Sequence, residues 1–286
     1  MMKVKSIIPA LIVFSALSWI PSVVLADLTM GIFPRRPPAV TQQAFQPLAD
    51  YLSQKLGQKV KLEVPKDFSE FWNNLKQNKY DLVHLNQYHY IRSHKEEGYK
   101  VIVSNKEFGS GQIAGALSVR KDSGVNSVAD LRGKTILFGG GKKAMGSYIA
   151  PTAILKKAGL EAGRDYKVAF SKNPPSAVIG VYNKAAAASG SGNVILKIKG
   201  VTKRIDSRQM KILAESEPFT QLSWAVKGDM SDDLASKIQD AMVTLDQSAE
   251  GKKVLKAARV DDFIPVSDSD YDKVREITKF AIGEEY

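Results

Sequence analysis

Short apolar runs and amphipathic helical stretches alternate along this chain from Leu28 to its end, and that alternation restricts the folds open to it. Leu28 to Phe33 reads as a short strand, stopped by Pro34-Arg35-Arg36-Pro37-Pro38, where a ladder cannot continue. Thr41 to Leu56 carries Phe45, Leu48, Leu52 and Leu56 on one helical face, with Gly57 in the stop position. Val60, Leu62 and Val64 alternate as a strand. Asp67 offers an N-cap with Glu70 three residues on, and Phe68, Phe71, Trp72 and Leu75 form the buried stripe of the next helix. A strand over Asp81–Leu85 and a helix over Gln87–Glu97 follow. Strands and helices in strict turn, joined by short links, predict a parallel-rich sheet covered by helices on both faces.

Val101–Asn105 and Gln112–Val119 continue as strands, and a second α/β series begins near Thr135–Phe138. It runs through a helix from Met145 to Ala158, a strand at Tyr166–Phe170, a helix over Pro175–Ala187 and a strand at Val194–Ile198. Met210–Ala214 and Leu222–Val226 are strands again. Helices over Ser231–Gln247 and Asp268–Ile282, with a short one at Lys252–Ala257, close the chain. Two α/β units with helices left over predict an α/β fold of two lobes. One lobe comprises residues 27–114 and 218–286, the other residues 115–217. Hinge segments lie near Gly109–Ala116 and Glu217–Leu222, and a ligand cleft lies between the lobes, where strand ends and helix N-termini converge.

The first 26 residues read as an export signal. Lys3 and Lys5 form a basic n-region, Ile7 to Val24 an apolar stretch, and Val24-Leu25-Ala26 a cleavage site before Asp27. Ser15, Ser18, Pro9 and Pro21 make the same run a poor membrane span. The chain has no cysteine, which excludes a disulfide scaffold and the lipobox of a lipid-anchored protein, so a free periplasmic protein is expected. Its formal charge of +11 favours anionic ligands or surfaces, though many exported proteins are basic for no ligand-related reason. Basic residues are spread rather than clustered, which with export argues against nucleic acid.

The residues also resemble a known family. Gly31-Ile32-Phe33-Pro34, then Pro47-Leu48-Ala49-Asp50-Tyr51-Leu52 running into Leu56-Gly57, is similar to the start of phosphate/phosphite/phosphonate-type periplasmic substrate-binding proteins of ABC transporters. Tyr80-Asp81-Leu82-Val83, Val128-Ala129-Asp130-Leu131-Arg132-Gly133-Lys134, Tyr148 with Pro151, Ser216-Glu217-Pro218 and Ser248-Ala249-Glu250-Gly251-Lys252 follow in the family's order. The resemblance implies a type II periplasmic binding protein fold, a monomer, and delivery of a small anionic ligand to an inner-membrane ABC permease, without cofactor or metal. It also marks departures. The family's Ser-Thr-Ser-type turn corresponds here to Gly139-Gly140-Gly141-Lys142-Lys143-Ala144-Met145-Gly146-Ser147. Its His-Asp-type pair corresponds to Asn173-Pro174-Pro175-Ser176, and its later acidic residue to Lys184-Ala185-Ala186-Ala187-Ala188.

Several residues are candidates for the ligand site. Gly141 lets backbone approach a ligand, and Lys142 and Lys143 add charge at a helix N-terminus, unless the turn is simply a solvated loop. Ser147 is the hydroxyl left near that turn and Tyr148 follows it; Asn173 and Ser176 flank the next helix start. In the first lobe Asn86, Gln87, Tyr88, His89 and Tyr90 follow a buried strand, and Tyr90 matches a family tyrosine. Arg35 and Arg36 stand where the family's first loop reaches the cleft, suited to clamping an oxyanion. Phe68 replaces a ligand-contacting tyrosine of the family, which leaves stacking or packing. His84 reads as core, Trp72 as core, and Trp224 as either core or cleft. His84, His89 and His94 recur every five residues, which shares no helical face and makes a poor metal site.

No GxSxG elbow, HExxH motif, phosphate loop or cysteine nucleophile occurs, so reversible binding is expected rather than catalysis. A sensory protein presenting its ligand to a membrane receptor or histidine kinase is the alternative on the same fold, and an enzyme on the same scaffold is a third.

Overall fold

The computed structural model describes residues 26–286, so the export signal expected over residues 1–26 lies outside the described residues but for Ala26. The first series of elements is β1 (Leu28–Ile32), α1 (Pro38–Leu56), β2 (Val60–Glu63), α2 (Phe68–Lys76), β3 (Leu82–Leu85), α3 (Gln87–Glu97) and β4 (Lys100–Lys106). After β5 (Gln112–Ile113) the second series runs β6 (Gly115–Arg120), β7 (Thr135–Gly139), α4 (Ala150–Lys157), β8 (Lys167–Ser171), α5 (Pro174–Tyr182), β9 (Ala188–Gly192), α6 (Lys199–Thr202) and β10 (Met210–Glu215). The chain returns through β11 (Phe219–Thr220) and β12 (Ser223–Val226) to α7 (Asp232–Val243), α8 (Ala249–Ala258), β13 (Asp262–Pro265) and α9 (Asp272–Ile282).

These strands build two helix-flanked sheets. The first has the order β13-β4-β12-β3-β1-β2, and the second β10-β6-β9-β7-β8. In each, the βα units give parallel pairs: β1 with β2 and β3, and β7 with β8 and β9. Both sheets are mixed rather than purely parallel. The returning strand β12 lies antiparallel between β3 and β4, and β6 antiparallel between β9 and β10. Strand β5 pairs with β11 in a separate two-stranded ribbon where the chain passes from one sheet to the other and back.

Local sequence explains most boundaries. In α1, Phe45, Leu48 and Leu52 are buried, and Gly57 supplies the left-handed turn that ends it. Asp67 caps α2 by accepting from the Glu70 N–H, and Asn86 caps α3 by accepting from the His89 N–H. His84 is buried in β3, its Nδ1 3.0 Å from the Ser223 carbonyl. Trp224 is core: fully buried, stacked on the His84 ring at 4.4 Å, with its Nε1–H donating to Asn105 Oδ1 at 3.0 Å.

Four sequence expectations are corrected. The strand expected at Val194–Ile198 is a short 3₁₀ turn over Ile195–Lys197, and the strand is β9, Ala188-Ser189-Gly190-Ser191-Gly192. Such a run has poor strand propensity, but it crosses the centre of a sheet where space decides. A Cβ on Gly190 would sit 2.5 Å from the Phe138 ring and 2.5 Å from the Ser147 carbonyl oxygen. The helix from Met145 opens instead as a π-turn over Met145–Ile149 before α4 begins. The helix expected to reach Ala187 stops at Tyr182, where Lys184 takes a positive φ of 64°. The strand expected over Gln112–Val119 divides at Ala114 into β5 and β6, and β13, over Asp262–Pro265, was not foreseen.

Helix α9 packs on both halves. Val274, Ile277, Thr278 and Ala281 are buried against α4 and α3. Thr278 Oγ1 lies 3.9 Å from Met145 Sδ, and Lys156 Nζ donates to the Phe280 carbonyl at 2.9 Å.

Candidate ligand cleft

In an α/β sheet a ligand site forms beyond the carboxyl ends of the parallel strands. In the first sheet those ends lead into Phe33–Pro37, Pro65–Asp67 and Asn86. In the second they lead into Gly139–Ala144, Ser171–Asn173 and Asn193. The two rims meet: Asn86 Nδ2 donates to the Lys143 carbonyl at 3.4 Å, joining the start of α3 to the glycine-lysine turn.

The first-lobe rim is cationic on one side and aromatic on the other. The Arg35 guanidinium lies 5.5 Å from the Phe33 ring centre and 3.4 Å from Glu107 Oε1. Glu107 also accepts from Asn105 Nδ2 at 2.7 Å, so a chain of contacts runs from buried Trp224 through Asn105 and Glu107 to Arg35. Arg36 is half-buried, and its Nη1 is enclosed without an acceptor. Burial, then the charges of Arg35 and Arg259, lower its pKa to about 10. The aromatic side consists of half-exposed Phe68, 6.4 Å from Phe33 and 5.5 Å from the His89 ring. His89 also faces Trp72 at 5.5 Å, and Arg92 lies 4.4 Å over the outer indole. Burial, then the Lys143 and Arg92 charges, lower the His89 pKa to about 3, so its imidazole is neutral at physiological pH.

The second-lobe rim differs from a hydroxyl-lined anion turn. Gly141, Lys142 and Lys143 are exposed, but Ser147 is buried in the π-turn and its hydroxyl donates to the Gly139 carbonyl. The start of α5 is closed to anions by its own sequence. Pro174 and Pro175 have no N–H to offer, and the Ser176 N–H and hydroxyl both donate to Asn173 Oδ1, at 3.0 and 2.9 Å. Pro174 also sits directly against Gly139, where a Cβ would approach its Cα to 2.2 Å.

The structure therefore divides the residues expected from sequence. It brings Arg35, Arg36, Phe68, Asn86, His89, Gly141 and the Lys143 backbone to the facing rims, leaves the Lys142 and Lys143 side chains lining a hollow beside α4 and α9, and holds Asn173 and Ser176 in a cap at the edge. Five others are turned away, the first being Ser147 with its hydroxyl on the Gly139 carbonyl. Tyr88 donates to Glu284 at 2.5 Å, Tyr90 to Asp268 at 2.7 Å, and Gln87 Nε2 to the Thr220 carbonyl at 3.1 Å. Tyr148 packs edge-on against Phe138 at 5.0 Å. Helix phase explains the pattern: the residues after an N-cap alternate between rim and core within one turn, which a linear match cannot resolve. Sequence reasoning missed Asn105, Glu107 and Arg259, which come from β4, the loop after it and the end of α8. The Glu107 contact with Arg35 is long-range, and no local signal announces it.

Two hollows open beside the cleft rather than in it. One, of about 500 Å³, is lined by Lys142, Lys143, Tyr148, Thr152, Lys156 and Glu284 among others; one of about 440 Å³ lies between α4, α9 and Glu217. No metal-holding cluster of His, Asp or Glu occurs among the described residues.

Two helix-flanked sheets, a double crossing and facing strand ends define a type II periplasmic binding protein. The family model for the phosphonate periplasmic substrate-binding proteins of ABC transporters matches residues 30–271, and the chain belongs to that family. Solved structures agree on the fold. PhnD1 from Prochlorococcus marinus, in complex with methylphosphonate, superposes with a TM-score of 0.75 at 17% identity, covering 90% of this chain and 99% of that one. XAC2383 from Xanthomonas citri, bound to ATP, gives 0.77 at 15% identity, covering 89% and 96%. Among curated proteins, the tetrathionate sensor histidine kinase TtrS of Salmonella typhimurium is 27% identical over 155 residues. That match covers 52% of this chain and 26% of the kinase, so the chain spans well under half of that relative's length.

Proposed function

We propose that this protein is an exported, monomeric solute-binding protein. It captures a small anionic ligand, a phosphonate- or phosphite-like oxyanion or a related one, between its lobes and delivers it to an inner-membrane ABC permease. The lobes are residues 27–114 with 218–286, and residues 115–217, and the leader is removed after Ala26. The observation that carries the reading is the meeting of two strand-end rims: cationic Arg35 and Arg36 follow β1 in one lobe, and the start of α3 is bonded through Asn86 to the backbone of the glycine-lysine turn of the other. Ligand binding between the rims would favour the closed arrangement that a permease reads, with no chemical turnover. A thermal-shift series with phosphate, phosphite, methylphosphonate, sulfur oxyanions and small carboxylates tests this, because a ligand of the native state raises Tm through linkage. A shift confined to oxyanions supports the reading, and no shift with any of them removes it.

A second reading is favoured by the similarity to the tetrathionate sensor kinase: the same cleft would present a sulfur oxyanion to a membrane receptor. Co-purification of the ligand-loaded protein with the permease, or with a sensor kinase, separates the two.

A further inference from the structure

We propose that the unit of residues 115–217 carries a docking surface for an anionic phospholipid bilayer, centred on Lys197, Lys199, Lys203 and Arg204, which holds the protein reversibly at a membrane face. The proposal goes beyond the ligand reading above and takes from it only that the protein works beside the inner membrane.

Basic residues are spread along the chain, but the fold divides them unevenly. Residues 115–217, built on the second sheet, hold eighteen Lys and Arg against seven Asp and Glu, a formal charge of +11. Residues 27–114 with 218–286, built on the first sheet, hold twenty-one against twenty-three, a charge of −2. The excess is steepest over residues 166–205, forty positions with seven Lys and Arg and no acidic residue. Arginines elsewhere in the unit are neutralised at close range: Arg120 by Asp122, Arg132 and Arg164 by Asp165, and Arg208 by Asp206. Lys197, Lys199, Lys203 and Arg204 are all exposed, and none of them forms an ion pair among the described residues.

Their outward display is built into the fold. Ile195, Val201 and Ile205 are buried with Val178 and Val181 of α5, which pins the 3₁₀ turn Ile195–Lys197 and α6 to the body and leaves the charged residues on the outside. Gly200 packs on Pro175, where a Cβ would stand 3.6 Å from Cγ, so the basic segment adjoins the start of α5. The composition of the segment fits a bilayer better than a shaped protein partner. Protein interfaces concentrate aromatic residues and arginine and are poor in lysine. Three of the four cations here are lysines, and Ile195–Ile205 holds no aromatic residue. Ammonium groups on flexible stems suit a fluid array of phosphate headgroups, where each basic residue within a screening length adds attraction and no fixed geometry is required. No helix among the described residues is long and apolar enough to cross a membrane, so the contact is peripheral. With −2 on the other unit, the attraction acts on one side of the molecule and orients it.

Co-sedimentation of the purified protein with vesicles tests the proposal. The vesicles are phosphatidylglycerol and phosphatidylcholine in equal parts, phosphatidylcholine alone, and phosphatidylcholine reconstituted with an ABC permease. At about 0.1 M salt, wild type is expected to partition at least about tenfold more strongly into the anionic vesicles than into phosphatidylcholine, and to be released at about 1 M, as the screening length falls from about 10 to about 3 Å. The triple variant Lys197→Glu, Lys199→Glu, Lys203→Glu should lose at least about tenfold of that binding. The triple variant Lys252→Glu, Lys253→Glu, Lys256→Glu, on exposed positions of α8, changes the net charge equally and should lose less than about threefold. Circular dichroism confirms that both variants are folded. Equal losses in the two variants overturn the assigned surface, because net charge alone would then explain binding. Binding that survives high salt, or no preference for phosphatidylglycerol, overturns the proposal. Partition confined to the permease-bearing vesicles assigns the surface to a protein and overturns it as well. None of these failures touches the solute-binding reading, which stands or falls on the oxyanion thermal shifts.

Discussion

Replacing Trp224 with Phe tests whether the core holds the cleft in place. Trp224 is fully buried, stacks on His84 at 4.4 Å, and meets the rings of Phe45 and Phe263 edge-on at 5.8 Å each. A phenyl ring keeps part of that packing but leaves the space of the missing pyrrole, a cost of about 2 kcal/mol for a partial deletion in a core that cannot collapse. The larger consequence is chemical. Asn105 is also fully buried, and its Oδ1 loses the indole N–H at 3.0 Å, which adds roughly 1–3 kcal/mol for an orphaned acceptor. The expected loss is about 3–5 kcal/mol in guanidinium unfolding followed by far-ultraviolet circular dichroism. Asn105→Ala should cost a comparable amount. Because each variant breaks the same bond, the double variant should fall short of the sum by about 1 kcal/mol or more. Asn105 no longer fixed at Oδ1 also fixes Glu107 less well, so oxyanion affinity should fall in Trp224→Phe although the residue never faces the cleft. A destabilisation below about 1 kcal/mol, or strict additivity with Asn105→Ala, would refute the proposed chain from core to rim.

Gly139→Ala places a Cβ 2.2 Å from Pro174 Cα and 2.3 Å from its nitrogen; backbone cannot yield as a side-chain tip would, so a loss of about 3 kcal/mol is expected, at the upper end for overpacking, read by chemical denaturation. Asn173→Ala removes the cap of α5 and should cost about 1 kcal/mol by the same measurement. His89 is neutral in the fold with a pKa of about 3, whereas the unfolded chain takes up a proton below about 6.5. Its contribution is therefore fully present above pH 6.5 and is lost as pH falls towards 3, amounting to about 2 kcal/mol by pH 5. His89→Phe should flatten that part of the stability profile; an unchanged slope between pH 7 and 5 would show that the buried imidazole is not the titrating group.

Much of the fold was legible because it is written in periodic apolar residues. The stripe Phe45, Leu48, Leu52 and the cap Asp67 with Glu70 each specify an element without help from the rest of the chain. What was misread lies where tertiary space overrides local preference. Strand β9 has no β-branched residue at all, and its place is set by Phe138 and the Ser147 carbonyl, which leave room for glycine at 190. The run Val194–Ile198 looks like a strand and turns instead, because β9 has already filled the central place between β6 and β7. β13 carries two acidic and proline ends around Phe263 and Ile264, too short a pattern to register until β4 offers it an edge.

The site divides along the same line. The chain itself announces the strand ends after which Arg35, Asn86 and Lys142 stand. It does not announce direction: Ser147 sits where a ligand hydroxyl was expected, but the π-turn adds a residue to the first coil and rotates it onto Gly139. Once that hydroxyl is spent, and Pro174-Pro175 has removed the first amides of α5, the second lobe's rim retains the glycine-lysine turn alone of the two helix starts expected from sequence. In the first lobe Arg35 is held by a carboxylate that an amide anchors in the core. A scaffold of this kind can change its ligand without changing its fold: the periodic residues that build the sheets are separate from the few turn residues at the strand ends.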